Sequence, residues 1–256
     1  MPSYGWANRC VSIYTGANGE DEEERDIKRF HIGARALYAL GSYLPGFPLL
    51  WMPGSRIDIT RSLEMGYGFI LGPVYGPITA FIGALVGKVI TGGGFGLYFT
   101  PLAPLTAFVA APLSSKKVFK VRGWILSAAI TAVLIFGWYL TSVGRSVLFY
   151  PVLHFMGLLI ILVFRDRLAG YIHGEHRMRL SMGVALTSYS STIVGHMLGN
   201  LIFMGLIEAS PAFFIGILPV TAAERLFITL LSTTLMKPLI LVVREVFPDI
   251  IIEGLG

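Results

Sequence analysis

Apolar residues in this chain come in long blocks separated by short charged or Gly/Pro-containing breaks. The runs from Trp124 to Leu140 and from Val147 to Phe164 are each about 17 or 18 residues, near the minimum for crossing a hydrocarbon core of about 30 Å. Reading block by block predicts eight helices, at about 31–51, 58–71, 74–91, 98–114, 124–141, 147–164, 181–207 and 212–243. The second and third are short and separated only by Gly72-Pro73. Proline supplies no N–H and disfavours helix at the residue before it, so a tight break is predicted there. Broken spans of this kind are tolerated where they pack against protein or line a cavity.

Composition narrows this to one class. Of 256 residues, 54% are hydrophobic and 14% are charged, and the mean hydropathy is +0.70. A water-soluble fold needs more charge to cover its surface. The expected fold is therefore an all-α integral membrane protein, with a single transmembrane domain over 31–256. The net charge of +5 is no nucleic-acid signature, because Lys and Arg concentrate between apolar blocks, as topology signals do. Placing the N-terminus inside puts Lys116, Lys117, Lys120 and Arg122 in one cytoplasmic loop. Arg165, Arg167, Arg177 and Arg179 fall in another, and Lys237 and Arg244 at the cytoplasmic end. The outer side then holds only Arg56, Arg61, Lys88 and Arg145. Both termini are expected in the cytoplasm of a multi-pass cell-membrane protein. Residues 1–30 are polar, carry the acidic run Glu20-Asp21-Glu22-Glu23-Glu24, and lack the order of a cleaved signal, so they read as a cytoplasmic tail. Cys10 is the single cysteine, which excludes an intrachain disulfide and a thiolate metal cluster.

Three motifs resemble catalytic sites and fail on inspection. Gly83 to Lys88 looks like a phosphate-binding loop, but it is one residue short between glycines, and Val89 replaces the hydroxyl residue that would hold magnesium. Gly92-Gly93-Gly94-Phe95-Gly96 has no strand before it and reads as a flexible outer loop. His173-Gly174-Glu175-His176 lies among arginines and lacks the three or four convergent ligands of a metal site. No catalytic residue, metal or cofactor is expected.

Ionisable groups inside spans cost several kcal/mol unless paired or hydrated, which makes them functional candidates. Glu224 and Arg225 lie in the last helix, about 18 Å from its outer end at 1.5 Å per residue. Adjacent residues point about 100° apart on a helix, so each is expected to meet another helix or a ligand rather than its neighbour. Thr192, His196 and Asn200 recur every four residues and form one polar stripe at overlapping depth. A short loop joins the two helices, which makes them antiparallel neighbours. A polar pocket opening outward follows; the competing reading is an interhelical network that only locks packing, worth under about 2 kcal/mol per contact. Gly195 and Gly199 read as a packing face. Trp51, Arg56, Phe95, Tyr98 and Phe99 form an aromatic and basic rim, either an interfacial anchor or a cover for a flat ligand.

Ile57-Asp58-Ile59-Thr60, followed by Phe69-Ile70-Leu71-Gly72-Pro73-Val74-Tyr75-Gly76, resembles the opening of the second and third helices of energy-coupling-factor (ECF) transporter S components. Gly83, Ala84 and Gly87 continue that pattern. Gly216-Ile217-Leu218-Pro219, the polar residues at 221–225 and the apolar run from Leu226 are similar to the last helix of the riboflavin-type group, and Asn200 falls where that group has an asparagine. The resemblance covers roughly residues 33–115 and 181–243. It implies a six-helix core, with residues 118–180 inserting an extra helical hairpin, for about eight transmembrane helices. It further implies a vitamin or micronutrient binder that captures its ligand at the outer face, with a transmembrane coupling subunit and ATPase subunits as partners. Glu224 and Arg225 would orient charged or polar ligand groups, Asn200, His196 and Thr192 would hydrogen-bond it, and Trp51, Arg56, Tyr98 and Phe99 would cover it. Gly33, Ala36 and Ala39 correspond to the small residues that face the coupling subunit. The riboflavin-type proteins have lysine where this chain has Glu224, so the substrate stays open.

Three other readings stand beside that one. A secondary transporter would relay protons through Glu224 and His196. An intramembrane enzyme would use His154, His196 and Glu224, and a structural subunit would bind no small molecule.

Overall fold

The computed structural model describes residues 60–246, with positions 33, 41, 47, 48, 56 and 57. The expected tail and most of the helix at 31–51 lie outside these residues. Phe47–Pro48 (β1) and Arg56–Ile57 (β2) pair antiparallel. The helices that follow are α1 (Arg61–Ile90), α2 (Leu102–Ser114), α3 (Gly123–Leu140), α4 (Ser142–Ser146), α5 (Val152–Phe164), α6 (Arg167–His173), α7 (Arg177–Leu206) and α8 (Pro211–Val246). The described residues are mostly helical, consistent with an all-α membrane protein. Among the described residues four helical stretches are long and apolar enough to cross a bilayer: Arg61–Ile90, Gly94–Ser114, Gly123–Leu140 and Pro211–Glu245.

The eight separate spans expected from hydropathy resolve differently. α5 has 13 residues, which at 1.5 Å each reach about 20 Å and fall short of a full crossing. α7 has ample length at 30 residues, but it is too polar to stand in lipid alone. The break at Gly72-Pro73 is present and falls inside one helical stretch. Gly72 adopts φ 72°, ψ −170°, a region open essentially to glycine. The chain reverses there. A Cβ built on Gly76 would lie 2.6 Å from the Tyr67 carbonyl oxygen and 3.0 Å from Gly68 Cα. Residues eight or nine apart on a continuous helix are about 12 Å apart. The limbs 61–71 and 73–90 therefore fold against each other, with Tyr67 packed on Ala80 and Ala84. The first limb covers only about 16 Å at helical rise, so Arg61 starts inside the bundle rather than at a membrane face.

α7 is the hub. Six consecutive residues at its centre, Thr187-Ser188-Tyr189-Ser190-Ser191-Thr192, are all buried. Such a run would be costly against lipid and is admissible here because α7 packs on α2, α3, α5, α6 and α8. Small residues permit the close approach. Gly195 lies against Thr106, Gly199 against Leu102, and a Cβ on Gly157 would sit 2.6 Å from Ile193 Cγ2. Hydroxyls then bridge helices: Tyr189 donates to the Leu153 carbonyl at 3.1 Å and Ser190 to the Gly157 carbonyl at 3.3 Å. Polarity lowers the hydropathy of α7 without exposing it.

Basic residues gather at one end of the bundle. Lys117–Val118 (β3) and Val121–Arg122 (β4) form a two-residue hairpin between α2 and α3, with Phe119 and Lys120 at positive φ. Arg122 reaches Asp166 at 3.7 Å, and the Arg165 guanidinium sits 5.2 Å from the Trp124 ring centroid. The glycine stretch expected as a flexible loop makes a turn. Gly92, Gly93 and Gly94 all take positive φ and lead into a 3-10 helix, Gly94–Phe99.

Candidate functional site

The Tyr150 hydroxyl is the centre of a polar cluster in the half of the bundle away from the basic end. Its ring is fully buried. It stacks on Trp138 with centroids 4.6 Å apart and meets Phe214 edge-on at 5.2 Å. Phe214 also packs edge-on against Trp138 at 5.0 Å. Three apolar rings thus fix one hydroxyl. Tyr150 precedes α5, and because α5 is short its first turn begins within the membrane-depth region. Irregular backbone is tolerated at that depth where protein covers it. This is how the α3–α5 connection brings Tyr150 and His154 inward.

From that hydroxyl the hydrogen bonds run along α7. Asn200 Nδ2 donates to Tyr150 at 3.1 Å, and Thr221 on α8 is buried one turn before Arg225. Asn200 Nδ2 lies 3.3 Å from His196 Nδ1, and His196 Nδ1 lies 3.3 Å from His154 Nε2. The two imidazoles stack at 5.4 Å and 18°. A bond between ring nitrogens needs a lone pair, so at least one ring is neutral.

One turn beyond Thr221 lies the charged pair. Arg225 Nη1 donates to Thr192 Oγ1 at 2.9 Å and to the Thr192 carbonyl at 3.3 Å, and Nη2 pairs with Glu224 Oε1. Arg225 meets another helix through Thr192, as expected, and the expectation that it would not meet its neighbour Glu224 is corrected. The backbone directions diverge, but the long guanidinium stem folds back across the turn. Arg225 is sealed, with 3% side-chain exposure, while Glu224 keeps 13%. Arg61 and Glu64 from the first limb of α1 lie within electrostatic reach of Arg225. Glu64 is buried at 3% exposure.

The structure thus brings Thr192, His196, Asn200, Glu224 and Arg225 together from two helices. Tyr98 and Phe99 lie on the 3-10 turn, where Phe95 contacts Tyr98 at 6.0 Å and Phe99 at 5.4 Å; Tyr98 is 58% exposed. Arg56 is described only as part of β2. Trp51, Ala36 and Ala39 lie outside the described residues. Gly33 is helical and exposed, with nothing within 4 Å of an added Cβ. Sequence reading passed over Tyr150 and Glu64 and placed Arg61 at an outer surface. The spacing of Arg61 and Glu64, three apart on one helix face, was a usable signal. Nothing local marked Tyr150, whose role depends on a fold-back before Pro151.

His173 is occupied at the basic end, where its Nε2 donates to the Ser114 carbonyl at 2.7 Å. Burial pushes this imidazole below its ordinary pKa. The Ser114 bond opposes that shift, while Arg244 and Lys116 add to it. Arg244 Nη1 donates to the Gly174 carbonyl at 3.1 Å, tying α8 to the same corner. Among the described residues no three His, Cys, Asp or Glu side chains converge as metal ligands would.

No family model matches the chain, and no solved structure matches it. It is similar to an uncharacterized protein of Methanocaldococcus jannaschii, 28% identical over 179 residues. That match covers 69% of this chain and 58% of the archaeal protein, so the chain spans little more than half of its relative's length.

Proposed function

We infer that this chain is the substrate-binding S component of an energy-coupling-factor importer. It would capture a vitamin-like micronutrient at the outer face and hand it across with a coupling subunit and two ATPases. One observation carries the reading: His196, Asn200 and Glu224 keep accessible surface while Tyr150, His154 and Arg225 behind them are sealed. A network serving only to lock helices has no need of open polar atoms deep in a bundle, and pockets for small ligands combine apolar walls with a few fixed polar groups. The order of motifs from Ile57 to Gly76 and from Gly216 to Arg225 supports the family assignment. So does the division of labour, since no phosphate-binding loop survives inspection. In this reading the basic end faces the cytoplasm, the spans number about eight with the partial ones counted, and the α3–α5 hairpin is an insertion that also furnishes the site.

A second reading draws on the two stacked imidazoles, with His154 Nε2 and His196 Nδ1 3.3 Å apart. Titratable groups of this kind, with Glu224 on α8, could pass protons, as a secondary transporter requires. Reconstitution separates the two. An S component binds ligand but moves none when the purified chain sits alone in vesicles under a proton gradient. Gradient-driven uptake by the chain alone would overturn the S-component reading in favour of the carrier.

A further inference from the structure

The structure separates two residues that sequence alone treats as equivalent. Arg225, the strongest cation of the cluster, is sealed inside the bundle. Its two terminal nitrogens serve Thr192 and Glu224, and its Nε is buried with no accessible surface and no hydrogen-bond partner among the described residues. Glu224 is different. Oε1 takes the guanidinium, and among the described residues no partner reaches Oε2, on a side chain that keeps exposure. Asn200 is half-buried and spends Nδ2 on Tyr150 and His196, which leaves Oδ1 open. Accepting from Asn200 engages the lone pair of His196 Nδ1 and puts that ring's proton on Nε2. His196 Nε2 likewise has no partner among the described residues, on a half-buried ring. The open atoms are thus two acceptors, one of them anionic, and one N–H donor.

Resting on the S-component reading, we propose that the site takes an amino-substituted nitrogen heterocycle, neutral or protonated, and rejects carboxylates. The ligand's amino or ring N–H groups donate to Glu224 Oε2 and Asn200 Oδ1, and a ring nitrogen accepts from His196 Nε2–H. His196 and Asn200 are one helical turn apart, about 6 Å. With hydrogen bonds of about 3 Å, that spacing fits a donor and an acceptor on neighbouring positions of one ring. Arg225 is a positioning residue that holds Glu224 in place and never touches the ligand. An anionic ligand would meet the Glu224 carboxylate, and the sealed Arg225 offers it no open donor.

The test is ligand-observed saturation-transfer NMR on the full chain in lipid nanodiscs. The probes are 2-aminopyrimidine, pyrimidine and pyrimidine-2-carboxylate, matched in size and differing in donors and charge. 2-Aminopyrimidine is expected to bind at least about tenfold more tightly than the other two. Glu224→Gln, its fold checked by thermal melting, is expected to remove that preference by placing an NH2 where the donor must be received. If the variant fails to fold, the wild-type ranking carries the test unaided. A carboxylate ranked first overturns the proposal and leaves the small-molecule reading standing. So does an undiminished preference in folded Glu224→Gln. No probe binding above empty nanodiscs overturns both.

Discussion

Replacing Arg225 with Gln while keeping Glu224 strands a carboxylate with 13% side-chain exposure deep in the bundle. Breaking a buried ion pair from one side costs about 3–5 kcal/mol, because the surviving charge is left without compensation. Arg61 lies close enough to offset part of that, which places Arg225→Gln near the lower bound, about 3 kcal/mol. Glu224→Gln strands the more deeply sealed guanidinium. Arg225 retains its two bonds to Thr192, so a similar loss is expected. The double variant removes both charges and forfeits mainly the Thr192 bonds, about 1.5–3 kcal/mol for hydrogen bonds from a charged donor. The two single losses should therefore exceed the double loss by at least about 2 kcal/mol. Reversible unfolding in mixed micelles, followed by the fluorescence of buried Trp138 and its companions, measures all four corners of the cycle. Additivity within about 0.5 kcal/mol would refute the pairing of these neighbours.

Tyr150→Phe keeps the ring stack with Trp138 and Phe214 and deletes only the shared hydroxyl. Ligand affinity, measured by calorimetry, should fall at least about tenfold while stability drops by only about 1 kcal/mol. Gly72→Ala has open space around the new methyl, so its cost is backbone strain alone, about 1–3 kcal/mol. Gly76→Ala meets the Tyr67 carbonyl and should push the two limbs of α1 apart, read as a larger loss of melting temperature than for Gly72→Ala. For His173, the folded imidazole has a depressed pKa, chiefly from burial. The unfolded chain therefore binds the extra proton first, and stability should be full above about pH 6.5 and decline as pH falls below it. His173→Gln keeps a donor for Ser114, and should flatten that slope in melts taken between about pH 5 and 7.

Periodicity and charge made a good part of this legible. Four-residue spacing placed Thr192, His196 and Asn200 on one face, and two charges inside an apolar run marked Glu224 and Arg225. Gly72-Pro73 announced a break. What escaped the sequence depends on contacts between distant segments. The reversal at Gly72 also needs Gly76 to let the limbs close, and Gly68 to let the first limb approach Ala107 of α2. Tyr150 becomes central only because α5 starts deep in the bundle and Trp138 and Phe214 hold its ring. The shortness of α5 and the polarity of α7 both follow from being covered by neighbours, and a hydropathy count of one segment carries no record of what surrounds it.

Native mass spectrometry of the full chain, released gently from its own membranes, puts the ligand site to trial with the fewest assumptions. The wild type is expected to carry one small nitrogen heterocycle per chain, and Tyr150→Phe, folded to the same melting profile within a few degrees, is expected to carry none. A wild-type chain that emerges bare, or an adduct that stays on the variant undiminished, would show that the groups around Tyr150 hold helices together and nothing else.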